Sequence, residues 1–303
     1  MAPQIRFSFL ILSLALASCS KKDQPSPDQV RIASVEERIV LANGVPRTSI
    51  YSFSYDHQGR ISSVNDRNFY YSTNNKVAYS RVYSSKDIGL GMKEEYIEKL
   101  RYSWDNQGRI ISIVADSIYR HQYSKTEPQH TTLKNLSQGV LIAEYQYAGN
   151  SKRPASIRYL TNFDLPGNAK QGSISVEYQG NNVARERSLT SVDMGLGNVP
   201  GTPQTLLLYA HYQYSNHPNY LYKAYQQLGF HPYNFGLVVS ENNATNIYYE
   251  IYQQLDAPAS ENPDWNKSEK LVTEFNSFGY PVGIKFTSPA IVSVNKTITI
   301  SYH

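Results

Sequence analysis

Alternation with period two runs through most of this chain, and it limits the fold more than any other feature. Tyr51, Phe53 and Tyr55 fall on one face of their segment, with Ser52 and Ser54 on the other. Leu100, Tyr102 and Trp104 oppose Lys99, Arg101 and Ser103. The pattern repeats with Tyr145 and Tyr147 against Glu144 and Gln146, and with Ile174, Val176 and Tyr178 against Ser175 and Glu177. Leu208, Ala210, Tyr212 and Tyr214 oppose His211 and Gln213, and near the end Ile298, Ile300 and Tyr302 oppose Thr299 and Ser301. Successive strand side chains point to opposite faces, so each segment has one face for a core and one for water. That is the requirement of an antiparallel sheet with a wet side.

The joints between these segments are hairpin turns. Asp56-His57-Gln58-Gly59 and Asp105-Asn106-Gln107-Gly108 place Asp where its carboxylate can accept backbone N–H bonds and Gly where the chain needs positive φ. Asn276-Ser277-Phe278-Gly279 is a third copy, and Asn74-Asn75 and Gly180-Asn181-Asn182 serve the same purpose. One segment departs from the pattern. In Pro218 to Gly229, Leu221, Ala224, Tyr225 and Leu228 have helical spacing, which predicts one short helix in an insertion over 218–243. Asp256 to Lys267, rich in Pro, Asn and Asp, reads as an exposed loop.

The chain also repeats itself. Asn75-Lys76-Val77-Ala78, Arg81 and Asp87-Ile88-Gly89-Leu90-Gly91 match Asn181-Asn182-Val183-Ala184, Arg187 and Asp193-Met194-Gly195-Leu196-Gly197 without a gap. The inferred unit has about four strands and is used twice, over roughly 48–114 and 141–215. Repeated hairpins share a core edge to edge, so the expectation is all-β: one large continuous antiparallel sheet, a meander of hairpins, with the short helical insertion. The Asp-x-Gly-Leu-Gly segments read as long flexible hairpin loops. A phosphate cradle would need a helix directly afterwards, and none follows.

Residues 1–18 read as a signal peptide: Arg6 supplies a charge, and Phe7 to Leu16 is apolar but too short to span a bilayer. Leu16-Ala17-Ser18-Cys19 resembles the lipobox of bacterial lipoproteins. That resemblance implies cleavage before Cys19, lipid on its thiol, and a polar tether over 19–29 ahead of a domain over 30–303. Ser20, standing where an aspartate would retain a lipoprotein in the inner membrane, makes the outer membrane the expected address, on either leaflet. Cys19 is the only cysteine, which excludes an internal disulfide and a thiolate metal cluster.

Tyr55-Asp56-His57-Gln58-Gly59-Arg60-Ile61 and Trp104-Asp105-Asn106-Gln107-Gly108-Arg109-Ile110 resemble the Tyr-Asp repeat of Rhs-type proteins, with Thr273 to Ile284 a degenerate third copy. The whole chain is similar to Bacteroidetes lipoproteins of unknown function with a porin-like β domain. The likeness includes His217-Pro218-Asn219, Ser240-Glu241-Asn242-Asn243 and a short terminal strand over Thr297 to Tyr302. It implies that the single large antiparallel sheet is curled into an open barrel or porin-like shape, with the insertion plugging one end, and it implies no established activity.

No catalytic constellation is legible. The seven histidines (His57, His121, His130, His211, His217, His231, His303) lack metal-ligand spacing, and there is no Gly-x-Ser-x-Gly elbow. Glu94 and Glu95 are neighbours on a strand and face opposite ways. His57 and His211 are expected to be solvated. The net charge of +4 comes from interspersed residues, which gives no field to draw in nucleic acid. A membrane-spanning pore is excluded because neither strand face offers a continuous lipid band.

Tyrosine is the compositional outlier, 26 against 10 Phe and 2 Trp, and its amphipathic ring suits either a wet sheet or a sugar-stacking surface. Trp104, Tyr102, Tyr212 and Tyr214 share a face with Leu100 and Leu208, which favours core packing. Tyr220, Tyr222, Tyr225, Phe230, Tyr233 and Phe235 in the insertion are the candidate ligand-facing aromatics, against the alternative that they bury a helix across the mouth of the sheet. Asp116-Ser117-Ile118 resembles a short O-glycosylation motif and makes Ser117 a candidate modification site. The expected role is non-catalytic binding of a glycan or peptide, with a structural lipoprotein meeting an envelope protein as the alternative and a hydrolase behind both. No cofactor and no metal are implied.

Overall fold

The strand ladder closes on itself. In the computed structural model, which describes residues 30–40, 44–126, 131–161, 170–193, 203–228, 239–287 and 295–303, the first strand β1 (Ile32–Val40) pairs with the second, β2 (Pro46–Tyr55), on one edge. Its other edge pairs with the last, β17 (Asn295–Tyr302). Between them the chain meanders antiparallel through β3 (Ile61–Val64), β4 (Arg67–Tyr71), β5 (Val77–Gly89), β6 (Met92–Trp104) and β7 (Ile110–Ser124). It continues through β9 (Val140–Tyr147), β10 (Pro154–Thr161), β11 (Lys170–Gln179), β12 (Asn182–Asp193) and β13 (Pro203–Pro218). Then come β14 (Asn242–Tyr252), β15 (Glu269–Phe275) and β16 (Pro281–Thr287). The ring is a 16-strand antiparallel closed barrel. The expected curled sheet is therefore present, and it is shut. Closure removes the free edges of a meander.

A further strand, β8 (Thr131–Ser137), lies beside the ring. It pairs with Ile118–Tyr123 of β7, while β9 takes Ser112–Ala115 of the same strand. β7 carries one extra residue between Ala115 and Ser117, a β-bulge at the changeover.

The turns led by Asp56, Asp105 and Asn276 lie at the same rim as Ile32 and Tyr302, the two ends of the barrel domain. Here the sequence explains the geometry closely. Asp105 Oδ1 accepts from the backbone N–H groups of Gln107 and Arg109, both at 2.9 Å, and Gly108 takes φ +72°. Asp56 accepts from Gln58 and Arg60 at the same distance. Asn276 Oδ1 repeats the arrangement with Phe278 and Tyr280 at 3.0 Å. Next to these turns the register slips by one residue, at Ser54/Tyr55, Tyr70/Tyr71, Ser103/Trp104, Glu177/Tyr178 and Glu274/Phe275. Each bulge sets the last aromatic of one strand opposite the first apolar residue of the next: Tyr55 opposite Ile61, Tyr71 opposite Val77, Trp104 opposite Ile110, Tyr178 opposite Val183.

Each aromatic also reaches back to the strand before it. Tyr55 donates to the Ile32 carbonyl at 3.1 Å, Tyr71 to Ile61 at 2.7 Å, and the Trp104 indole to Val77 at 2.7 Å. Tyr147 donates to Ile110 at 2.8 Å, Tyr178 to Pro154 at 2.7 Å, and Tyr302 to Pro281 at 2.7 Å. The accepting residues are nearly or fully buried. A collar of aromatic rings, apolar side chains and satisfied carbonyls thus runs round the rim. Tyrosine is abundant here because it fills the core and brings its own donor.

Two loop readings are corrected. The Asp87 to Gly91 stretch is no long loop: β5 runs to Gly89 and returns at Met92 through a turn in which Gly89, Leu90 and Gly91 all have positive φ. The second copy, 194–197, lies outside the described residues. Residues 253–268 do not float in solvent. They fold back on the outer wall, burying Ala257 against Leu207 and Tyr209, whose hydroxyl donates to the Ala257 carbonyl at 2.9 Å. His211, expected to be solvated, is consequently only 6% exposed and lies 3.4 Å from Glu250 Oε2. Glu250 Oε2 also accepts from the Ser260 backbone N–H at 3.0 Å, so the covering loop helps to satisfy it.

Replacing Tyr147 by Phe keeps the packing and deletes the bond to Ile110, leaving that carbonyl without this donor. The expected loss is about 1 kcal/mol, read as a lower urea midpoint at unchanged slope.

Candidate functional site

The helix α1 (Tyr220–Leu228) starts beside β13 and ends at β3, where the Ile61 N–H meets Gln227 Oε1 at 3.4 Å. These strands lie on opposite arcs of the ring, so the helix crosses the bore and stops the turn rim. This matches the plug implied by the resemblance. Ala224 is its buried contact, and Tyr225 has its hydroxyl pushed up to about 12 by burial, with Tyr51 and Glu37 from the far wall adding to the shift.

The two stretches framing the insertion in the sequence form its neck. Asn219 Oδ1 accepts from the Leu221 N–H at 3.1 Å, while its amide donates to the Ser240 carbonyl at 2.9 Å. Asn243 donates to the Pro218 carbonyl at 2.9 Å. Glu241 takes an ion pair from Arg153 at 2.5 Å and a bond from Asn181 at 2.8 Å. Ser240 Oγ accepts from the Val183 N–H and donates to the Tyr214 hydroxyl, so it stands between two members of the collar. Phe275, which has no hydroxyl to continue the collar, packs instead on His217 with ring centroids 4.3 Å apart.

Between the plug and the rim, over β3–β10, lies a pocket of about 420 Å³. Its wall combines the collar rings Tyr71, Trp104 and Tyr147 with the cations that follow the turns: Arg60, Lys76, Arg109 and Lys152. Gln226 and Gln227 of the helix and Asn75, Gln58 and Gln107 of the turns add amides. The cations sit over the rings: Arg60 is 4.3 Å from the centre of Tyr71, Lys76 Nζ 5.0 Å from Trp104, and Arg109 4.6 Å from Tyr147. Burial pushes the Tyr71 hydroxyl up to about 12, against the lowering influence of Arg60.

The charges in this wall are not equivalent. Arg60 is held by Asp56 and Asn75, and Arg109 by Asp105 and the carbonyls of Gly149 and Ser151. Neither Lys76 nor Lys152 has a carboxylate within ion-pair distance among the described residues.

Past the collar, the inward face of β5–β7 is polar. Glu98 pairs with Arg67 at 2.6 Å and accepts from Tyr96. Glu94 accepts from Gln122 and pairs with Lys86 and Arg120; the bonds from Gln122 and Lys86 hold its carboxyl below the usual range. Glu95 faces the other way, onto Tyr83 and Tyr123, as the strand geometry required. On the opposite wall Tyr249 is 46% exposed, and burial of its hydroxyl raises it, with Glu269 and Glu186 adding to the shift. A bore of this strand number is too wide for side chains to fill. The outward face is charged as well, with Arg101–Asp116, Arg158–Glu144 and Arg185–Glu177. Such groups are costly against lipid tails, by ~2–4 kcal/mol per Arg or Lys at the bilayer midplane. Among the described residues, no helix is long and apolar enough to cross a membrane, and no group of three His, Cys, Asp or Glu side chains is placed to hold a metal ion.

Of the candidate aromatics, Tyr222 has Arg153 5.9 Å from its ring centre and Tyr225 is half-buried; neither lines the pocket. Phe230, Tyr233, Phe235 and Cys19 lie outside the described residues, as does the side chain of Tyr220. Ser117 is half-buried in mid-strand opposite Lys99. The pocket residues sequence reasoning passed over were marked by the order aromatic, turn, cation, apolar at each hairpin.

No family model and no curated protein matches the chain. Among solved structures, a porin-like protein from Bacteroides uniformis is similar over 90% of this chain and 98% of its own, at 12% identity and a TM-score of 0.38. The structure of TcdB2-TccC3 without its hypervariable C-terminal region is similar over 86% of this chain, at 13% identity and a TM-score of 0.25, and the chain spans 15% of its length.

The Asp105 carboxyl is held below the usual range first by the Arg109 backbone N–H and then by the Arg109 side chain. Its folded value is depressed, so its contribution to stability is present above the unfolded range near ~3.9 and is lost as pH falls through the folded value. Asn accepts the same backbone bonds, as Asn276 does in the third turn. Asp105→Asn is therefore expected to fold, and its denaturation midpoint should fall less than that of the parent between pH 5 and 2.

Proposed function

We propose that this chain is a non-catalytic binding protein of a bacterial cell envelope, held to the outer membrane by lipid on Cys19, with its ligand, a glycan or peptide, taken at the plugged rim. The pocket between the collar and α1 carries this reading: a concave site with a few convergent polar groups, built on strand ends and tight turns and not on long loops. Its rings already bear cations, so recognition falls to the amides and charges more than to open stacking faces. The lipid would supply the attachment to the bilayer.

A second reading rests on β8. Among the described residues it pairs with β7 alone, so its other edge offers unpaired backbone groups of the kind a partner strand can complete. Under that reading the protein is an assembly factor for an envelope protein.

Two measurements test the first reading. Cells fed an alkyne fatty acid should label the protein, and Cys19→Ala should abolish both the label and its sedimentation with outer membranes; an unlabelled parent chain contradicts the anchor. Titration with polysaccharide and peptidoglycan fragments should change the tryptophan emission, because Trp104 lies in the pocket wall. A flat response across glycans and peptides alike would sink the binding reading, and capture of a protein through β8 would favour the second.

A further inference from the structure

We infer that the rim pocket selects an acidic saccharide, whose carboxylate is taken by Lys76 and Lys152. This rests on the binding reading above and narrows it to one ligand class. The inference comes from which donors are already spent. Arg60 and Arg109 are committed to Asp56 and Asp105, to Asn75 and to turn carbonyls, so they are structural cations. The tyrosine hydroxyls and the indole N–H are committed to the collar. The two lysines remain, with no carboxylate partner among the described residues.

Their placement suits a bound anion. Lys76 is half-buried, and its ammonium is held against the Trp104 ring, which removes part of its hydration. Its side chain also lies against Gly108, where an added Cβ would come within 3.1 Å of it, so the turn fixes its direction. Lys152 is exposed on the neighbouring turn. The same wall carries amides, which have both donor and acceptor: Gln226 and Gln58, together with Gln227, whose Oε1 accepts from the Ile61 N–H, and Gln107, whose Nε2 donates to Asn150. Paired donors and acceptors match sugar hydroxyls, and two uncompensated cations match a carboxylate. A neutral glycan would use the amides and leave the lysines idle. A hydrophobic peptide would use neither.

The test is calorimetric titration of the full chain in detergent at low salt, with tetragalacturonate against cellotetraose. The parent should bind the acid at least tenfold more tightly, with an affinity that falls as salt rises. The double variant Lys76→Gln and Lys152→Gln should lose at least tenfold for the acid and be unchanged for the neutral sugar, whereas Lys76→Arg with Lys152→Arg should keep the preference. Lys152→Gln alone, at an exposed turn tip, should cost about threefold and keeps the test open should the double variant not fold. Equal affinity for both sugars overturns the acidic class and leaves the binding reading intact. Acid binding that survives loss of both lysines places the ligand elsewhere and overturns the inference alone. No binding of any saccharide or peptide overturns both.

Discussion

Everything in this structure depends on the pairing of β1 with β17. Without it the meander would be a long sheet with two raw edges. With it, the strands from Ile32 to Tyr302 form a ring, and side chains from strands far apart in sequence share one bore. The join is regular from Ser34 to Val40, where Val35 meets Ile300 and Glu37 meets Ile298. It is also tied at the rim, because Tyr302 reaches Pro281 on one side while Tyr55 reaches Ile32 on the other. The collar therefore continues across the closure.

The collar converts a wide ring into a site. A barrel of this size cannot pack its own bore, and most of its inward face between β5 and β7 is left to ion pairs. At the turn rim three features change the outcome. Bulges next to the turns set an aromatic against an apolar residue, the aromatic donors satisfy the carbonyls this crowding buries, and α1 closes the middle. The cations that follow the turns then stack on the rings, and the two without acidic partners give the pocket its sign.

Much of this was legible in the residues. The alternation in Lys99 to Trp104 gave the strand faces, and Asp56 and Asp105 gave the turns with their side-chain bonds. The spacing of Leu221, Ala224, Tyr225 and Leu228 gave the helix. Closure was not legible, because it depends on a register between chain ends that no local pattern records. His211 was misread for a similar reason: its strand face is polar by sequence, and only the fold of 253–268 onto that face buries it. The pocket was missed because its members are spread over four hairpins. Trp104, assigned to packing on the face it shares with Leu100, lines the pocket, and the charge that matters stands beside it on Lys76, from another turn.

Closure can be tested directly. Ser34 and Ser301 are register partners with their hydroxyl oxygens 2.6 Å apart, and the chain's own cysteine is far upstream at Cys19. In a Cys19→Ala background, Ser34→Cys with Ser301→Cys should form an intramolecular disulfide under mild oxidation, with the monomer retained and the denaturation midpoint raised. Thiols that stay free, or that link only between molecules, would contradict a closed barrel.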